Sequence, residues 1–247
     1  MQGEQANDFP DPTHAPEDFD LIAISAFDAT GIPLEINPEL IWPKLTKYGS
    51  TWDPEVLLTA YRNGLFPMPY EIDGQESAIG WWSPEPRAVF YPEEIHISNS
   101  MQSAMKKFTV TVDVAFEAVI RACGNPERAS GWINEDVVSA FTSLHRIGVA
   151  HSIEVWDLEG KLAGGLYGLE LGGLFAGESM FHSTTNASKV ALIHLAGLLN
   201  DGSGRVIDTQ WMTDHLKSMG AKPINRAEYG QNLPKILEIA PILLVPS

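Results

Sequence analysis

SIEVWDLEGKLAGGLYGLELGGLFAGE, residues 152–178, decides the fold. Three apolar runs stand close together here, at 152–156, 162–171 and 174–178, and each carries β-branched or aromatic residues. Such runs suit a pleated, half-buried strand. Glu159-Gly160 separates the first two and Gly172-Gly173 the last two. Both are hairpin signals, because glycine reaches the positive φ that tight hairpins need. The spacing predicts a three-stranded antiparallel meander.

Helices flank it. Upstream, Asn134 is placed to cap a helix with Glu135 and Asp136 in its first turn. Val137, Val138, Phe141 and Leu144 give it an apolar stripe, and Gly148 ends it. Further back, strands are expected at 87–91 and 108–112, and helices near 100–107 and 116–122. Asp53 as N-cap and Pro54 at the first helical position open a helix that stops at Gly64. Downstream, Asn186 or Ser188 is expected to cap a helix from Lys189 to about Leu199. A short strand, 205–207, then ends in Asp208-Thr209-Gln210. A Thr213-capped helix to Gly220 and one or two short terminal strands close the chain. The order predicts an α+β fold with a largely antiparallel sheet between helices. There is no GxGxxG and no repeated βαβ series, which excludes a dinucleotide fold.

The tract 66–92 is rich in Pro, Gly and aromatics and cannot be regular helix for long. A domain boundary is placed there, near 82–87. This divides the chain into an acidic, disordered tail (1–20), a small N-terminal domain (21–85) and a larger domain (86–247). The apolar run 21–27 fits either a strand or a partner-seeking segment.

The net charge is −16, of which six acids lie within the first twenty residues and leave −10 for the rest. Acidic proteins are poor nucleic-acid binders unless a local basic patch exists. One cysteine, Cys123, precludes an intrachain disulfide and fits a reducing compartment and a small core residue. No apolar stretch is long enough to span a bilayer and no signal region opens the chain, so a cytoplasmic protein is expected. The seven histidines form no HExxH and no Cys/His cluster, so no metal site is expected. Ser179 lies in Gly-Glu-Ser-Met-Phe and not in GxSxG, so a hydrolase elbow is not supported.

Two polar clusters remain. Asp208-Thr209-Gln210 and Gly177-Glu178-Ser179 each follow an apolar strand. Polar strand ends can floor a reaction pocket, or cap the helices that follow. Acids and amides without a nucleophile suit a reaction whose electrophile arrives activated. Such an enzyme aligns an amine, helps it lose a proton and stabilises an oxyanion. Asp208 fits a proton acceptor or polarising group. Gln210 can accept from an amine but is too weak to be a full base. Trp81 and Trp82 suit interface packing, whereas Trp132, beside Gly131, suits stacking on a base.

These residues resemble the leucyl/phenylalanyl-tRNA–protein transferase family. The matching pieces run in order from Ala60-Tyr61 and Gly64-Leu65-Phe66-Pro67 through residues 81–87, Glu94-Ile95-His96-Ile97-Ser98, Trp132-Ile133 and residues 151–156. They continue through residues 177–181, Asn186-Ala187-Ser188-Lys189, Ile207-Asp208-Thr209-Gln210, Asp214-His215 and Gly220-Ala221. The resemblance implies a small N-terminal domain and a C-terminal domain of the N-acetyltransferase-like (GNAT-like) type. It implies transfer of Leu or Phe from tRNA to the α-amine of proteins beginning with Lys or Arg, which marks them for degradation. It implies Asp208 and Gln210 as catalytic residues. Trp132, Glu178, Tyr61 and Met68 would bind the aminoacyl-adenosine. Leu166, Phe175, Met180, Leu195, Leu199 and Ile207 would form the side-chain pocket, and Lys106 and Lys107 would meet the tRNA backbone. Leu-tRNA and Phe-tRNA would be co-substrates of a monomer with no cofactor.

The chain departs from relatives in two places. Met68 stands where some carry Trp, and residues 99–105 lack the basic residues that relatives place there. An acyl-CoA N-acyltransferase is the alternative on the same fold. It would need a pyrophosphate-cradling glycine loop at a helix start, and Gly172-Gly173 lies between strands. A non-catalytic tRNA- or peptide-binding module is the third reading.

Overall fold

The computed structural model describes residues 21–22, 52–70, 78–125 and 132–242. The predicted tail, residues 1–20, lies outside the described residues, as do residues 23–27. Strands β1 (Leu21–Ile22), β2 (Phe66–Tyr70) and β3 (Ala78–Trp82) form a small antiparallel sheet in the order β1-β3-β2. A seven-stranded sheet carries the rest. Its strands are β4 (Arg87–Phe90), β5 (Thr109–Val112), β6 (Ala150–Trp156), β7 (Leu162–Leu171), β8 (Leu174–His182), β9 (Val206–Gln210) and β10 (Lys222–Ile224), in the order β10-β4-β9-β8-β7-β6-β5.

The expected meander is β6-β7-β8, with Gly160 and Gly172 at positive φ in its two turns. All neighbours are antiparallel except β8 and β9. A parallel pair needs a crossover, supplied by helix α5 (Ala187–Leu199). Nine of its thirteen residues are buried, so it is apolar nearly all round, as a helix sunk into a core must be.

Helices cover both faces of the large sheet. One core gathers α1 (Pro54–Arg62), α3 (Phe116–Cys123), α4 (Glu135–Arg146) and α7 (Arg226–Leu237). It takes in Trp81 and Trp82, both fully buried, and Cys123. The other core gathers α2 (Asn99–Met105), α5 and α6 (Asp214–Ser218).

Three expectations need correction. Helix α7 stands where only terminal strands were expected. Asn225 caps it by accepting from Glu228 N, and Tyr229 and Leu233 are its buried side chains. Its Gly230 and Pro234 disguise it in the sequence. Strand β8 runs four residues past Glu178, so Glu178 is interior and not a strand end. Asp208-Thr209-Gln210 does end its strand, as the last three residues of β9. Finally, α5 begins at Ala187 with Asn186 in the left-handed region, and neither Asn186 nor Ser188 caps it through a side chain.

Two β-bulges interrupt the sheet near its middle. Tyr167 pairs with Ser179 and Gly168 with Gly177, which leaves Glu178 as the extra residue. Ala88 pairs with Gln210 and Val89 with Asp208, which leaves Thr209 extra. A bulge breaks the two-residue alternation and re-aims the side chains after it. In β8, Leu174 and Ala176 join the first core before the bulge, and Phe181 joins it after. Gly168 is essential to the first bulge. A Cβ there would lie 2.3 Å from the Ala176 carbonyl oxygen and 2.5 Å from Cε1 of Phe175. Gly168→Ala is therefore expected to destabilise by about 1–3 kcal/mol, as overpacking does. Urea unfolding measures this, and an unchanged midpoint would show that the bulge relaxes freely.

Candidate active site

Strands β8 and β9 pair only from Leu174↔Val206 to Ala176↔Asp208. Both strands then continue without pairing, and the gap between them opens a pocket. The Gln210 side chain bridges the gap. Its Nε2 donates to the Gly177 carbonyl at 2.7 Å, as a ladder bond would, and to Glu178 Oε1 at 3.3 Å. Gln210 Oε1 accepts nothing among the described residues. Gln210 itself has φ +64°, a left-handed conformation unusual for a side chain of this size.

Asp208 holds that conformation. Its Oδ1 accepts from the Gln210 backbone N–H at 2.9 Å and from Arg87 Nε at 3.0 Å. Its Oδ2 accepts from Arg87 Nη2 at 2.7 Å and from the Tyr229 hydroxyl at 2.8 Å. Arg87 Nη1 donates to the Gly64 carbonyl at 2.9 Å. The guanidinium lies 5.0 Å from the Phe66 ring centre and 4.6 Å from that of Tyr229. Arg87 is 2% exposed and Asp208 1%, so this ion pair is dry. Burial works against the charge on Arg87, but Asp208 outweighs it and raises the guanidinium pKa. Burial and Asp208 also raise the Tyr229 phenol well above its ordinary value.

A carboxylate offers about four lone-pair sites, and all four on Asp208 are taken. Asp208 is thus built as an anchor for Gln210. Of the two expected roles, proton acceptor or polarising group, the occupied lone pairs favour the second.

The pocket has an empty volume of about 380 Å³, open mouth included, and apolar walls. Leu166, Phe175, Met180, Leu195 and Ile207 line it, as does Glu178. Leu199 does not; it is buried one helical turn beyond Leu195 in the same core. Leu192 and Leu216 also line it, and sequence reasoning missed both. Their apolar character makes them indistinguishable from core in a sequence.

Glu178 is 6% exposed. Burial pushes its carboxyl up to about 8; the Tyr61 hydroxyl and Arg87 oppose this, and Asp208 adds to it. Tyr61 (on α1) and Tyr167 (on β7) stand beside it with buried hydroxyls that complete no hydrogen bond of good geometry. Burial, then Glu178, raises both phenols well above the usual value. Trp132 is half-buried against the first core and is not among the pocket walls. Met68 lies on β2. Lys106 and Lys107 are exposed just after α2.

Arg87 and Tyr229 are the functional residues that sequence reasoning left without a role. Arg87 was visible in the motif, but its partner 121 residues away was not. Among the described residues, no group of three His, Cys, Asp or Glu could hold a metal ion, and no helix is long and apolar enough to cross a membrane.

Removing Arg87 strands a buried carboxylate and the Gly64 carbonyl. Arg87→Ala is expected to cost about 3–5 kcal/mol, the usual penalty for breaking a buried pair. Chemical denaturation checks this, and a loss below about 1 kcal/mol would mean that water replaces the guanidinium without penalty.

The family model described as leucyl/phenylalanyl-tRNA protein transferase matches residues 89–234, and the model for that family's N-terminal domain matches residues 52–85. A leucyl/phenylalanyl-tRNA–protein transferase from Nitrosomonas europaea is 46% identical over 211 residues, covering 83% of this chain and 86% of that one. One from Syntrophobacter fumaroxidans is 45% identical, covering 82% of this chain and 92% of that one. One from Pseudomonas fluorescens is 47% identical, covering 77% and 84%. Among solved structures, that of L-PGS from Bacillus licheniformis superposes with a TM-score of 0.37 at 10% identity, over 76% of this chain and 83% of that chain. The chain belongs to the leucyl/phenylalanyl-tRNA–protein transferase family, whose members are aminoacyltransferases.

Proposed function

We propose that the protein transfers Leu or Phe from aminoacyl-tRNA to the N-terminal α-amine of proteins beginning with Lys or Arg, marking them for degradation. One observation carries this reading. An apolar pocket opens directly beside the Gln210 amide and the Glu178 carboxyl, in a chain of this family. The pocket suits an uncharged Leu or Phe side chain, with Leu166, Phe175, Met180, Leu195 and Ile207 as walls and Leu199 as backing. Its polar rim suits the ester end of the aminoacyl group. Glu178, Tyr61, Trp132 and Met68 then hold the aminoacyl-adenosine, and Lys106 and Lys107 meet the tRNA backbone. The parallel pair β8–β9 that opens at the pocket supports the GNAT-like reading of the large sheet.

The ester is already activated, so alignment supplies much of the rate. Well-oriented groups can contribute about 7–11 kcal/mol toward the barrier. Gln210 Oε1 accepts an N–H of the incoming amine and points its lone pair at the ester carbon. Asp208 contributes by fixing Gln210. The net charge of −16 favours a basic acceptor N-terminus through long-range attraction. The enzyme works as a cytoplasmic monomer with aminoacyl-tRNA as co-substrate and no cofactor.

A transfer assay with radiolabelled Leu-tRNA or Phe-tRNA and a peptide beginning with Arg tests the reading. Label is expected on the peptide, and none when its α-amine is acetylated. No label from either tRNA, with folded protein at low salt, would refute it.

A further inference from the structure

The site needs a proton acceptor. An amine that attacks an ester carbon becomes positively charged and must lose a proton before the product is stable. Asp208 has no free lone pair, and Gln210 is a neutral amide. Glu178 differs from both. The bulge in β8 places it in the wall of the same cavity as Gln210. One of its oxygens takes the long 3.3 Å contact from Gln210 Nε2, and the Tyr61 hydroxyl beside the carboxyl favours its charged form. A second buried phenol, Tyr167, also stands beside it.

We propose that Glu178 takes the proton from the attacking α-amine and returns it to the departing ribose oxygen. The inference rests on the transfer reaction set out above. The amine nitrogen forms a bond to the ester carbon, and its N–H proton passes to the Glu178 carboxylate. When the tetrahedral intermediate collapses, the carbon–oxygen bond to the ribose breaks. The same proton then moves from Glu178 to that oxygen, giving the free tRNA hydroxyl and restoring the carboxylate. The enzyme gains and loses nothing overall. Tyr61 and Tyr167 can turn their hydroxyls toward Glu178 while it is charged, which steadies the carboxylate.

The acid–base poise fits. The Glu178 carboxyl is raised to about 8, so its carboxylate is a far better proton acceptor than an ordinary one. A carboxyl near the usual 4.5 would be too weak an acceptor.

Glu178→Gln tests the proposal, since it keeps the shape and the neutral form's contacts. Single-turnover transfer from Phe-tRNA to an Arg peptide is followed from pH 6 to 9, beside binding of an amide-linked phenylalanyl-adenosine analogue. Transfer is expected to fall about 10²–10⁴-fold, far more than analogue binding, since Tyr61, Trp132 and Met68 still hold the adenosine in the variant. Below pH 8 the wild-type rate is expected to rise with two ionisations, those of the amine and Glu178, because both must be deprotonated. In the variant only the amine remains, so the slope drops from two to one. A variant rate within about threefold of wild type, or a slope that stays at two, would overturn the proposal. Equal losses of binding and transfer would also overturn it, in favour of a binding role. A wild-type enzyme that transfers nothing would instead overturn the underlying reaction, and this inference with it.

Discussion

Everything at the site hangs from one dry ion pair, Arg87 with Asp208. It ties β4 to β9, reaches the Gly64 turn after α1 through Nη1, and takes in α7 through the Tyr229 hydroxyl. Burying two charges is costly, and the pair offsets this only because its other hydrogen bonds are also met. Such an arrangement is weak evidence for stability but strong evidence for a required geometry. What it fixes is the Gln210 backbone, held at φ +64° by Asp208 Oδ1. A residue kept in that region by its surroundings is a common mark of a functional position.

The pocket itself follows from sheet topology. A parallel pair that separates after three residues leaves unpaired backbone on both strands. The Gln210 side chain satisfies the Gly177 carbonyl, and the remaining gap is lined by apolar residues from β7, β8, β9, α5 and α6. The bulge at Glu178 brings a carboxyl into that wall at a cost. With its carboxyl raised to about 8 from 4.5, the folded state holds the extra proton between those values. Stability therefore declines as pH rises across that window and levels off above about 8. A fold that retains such a group gives up stability for something else, which is the usual trade at active sites.

Much of this was legible in the chain. The meander could be read from Gly160 and Gly172-Gly173, the helix at Asn134 from its cap and stripe, and α1 from Asp53-Pro54. Five of the six expected pocket residues line the cavity, while Leu199 faces the core one turn away. Two kinds of feature escaped. Bulges leave no reliable trace in a pattern of alternation, so the strand expected at 174–178 stops four residues short of the end of β8, at Glu178. Helix α7 carries Gly230 and Pro234, which local propensity counts as breakers, yet packing of Tyr229 and Leu233 against the first core holds it together. Losing α7 meant losing Tyr229. Without Tyr229 and the Arg87 partnership, nothing in the sequence separates a proton acceptor from a polarising group at Asp208, whereas the structure fills its lone pairs.

The central claim is that Asp208 acts only through Gln210. A double-mutant cycle on single-turnover transfer, with Asp208→Asn and Gln210→Ala alone and together, tests it most directly. If Asp208 merely positions the amide, the double variant transfers at the rate of Gln210→Ala alone. If the two losses multiply, Asp208 touches the reaction independently of Gln210, and the anchor account is wrong.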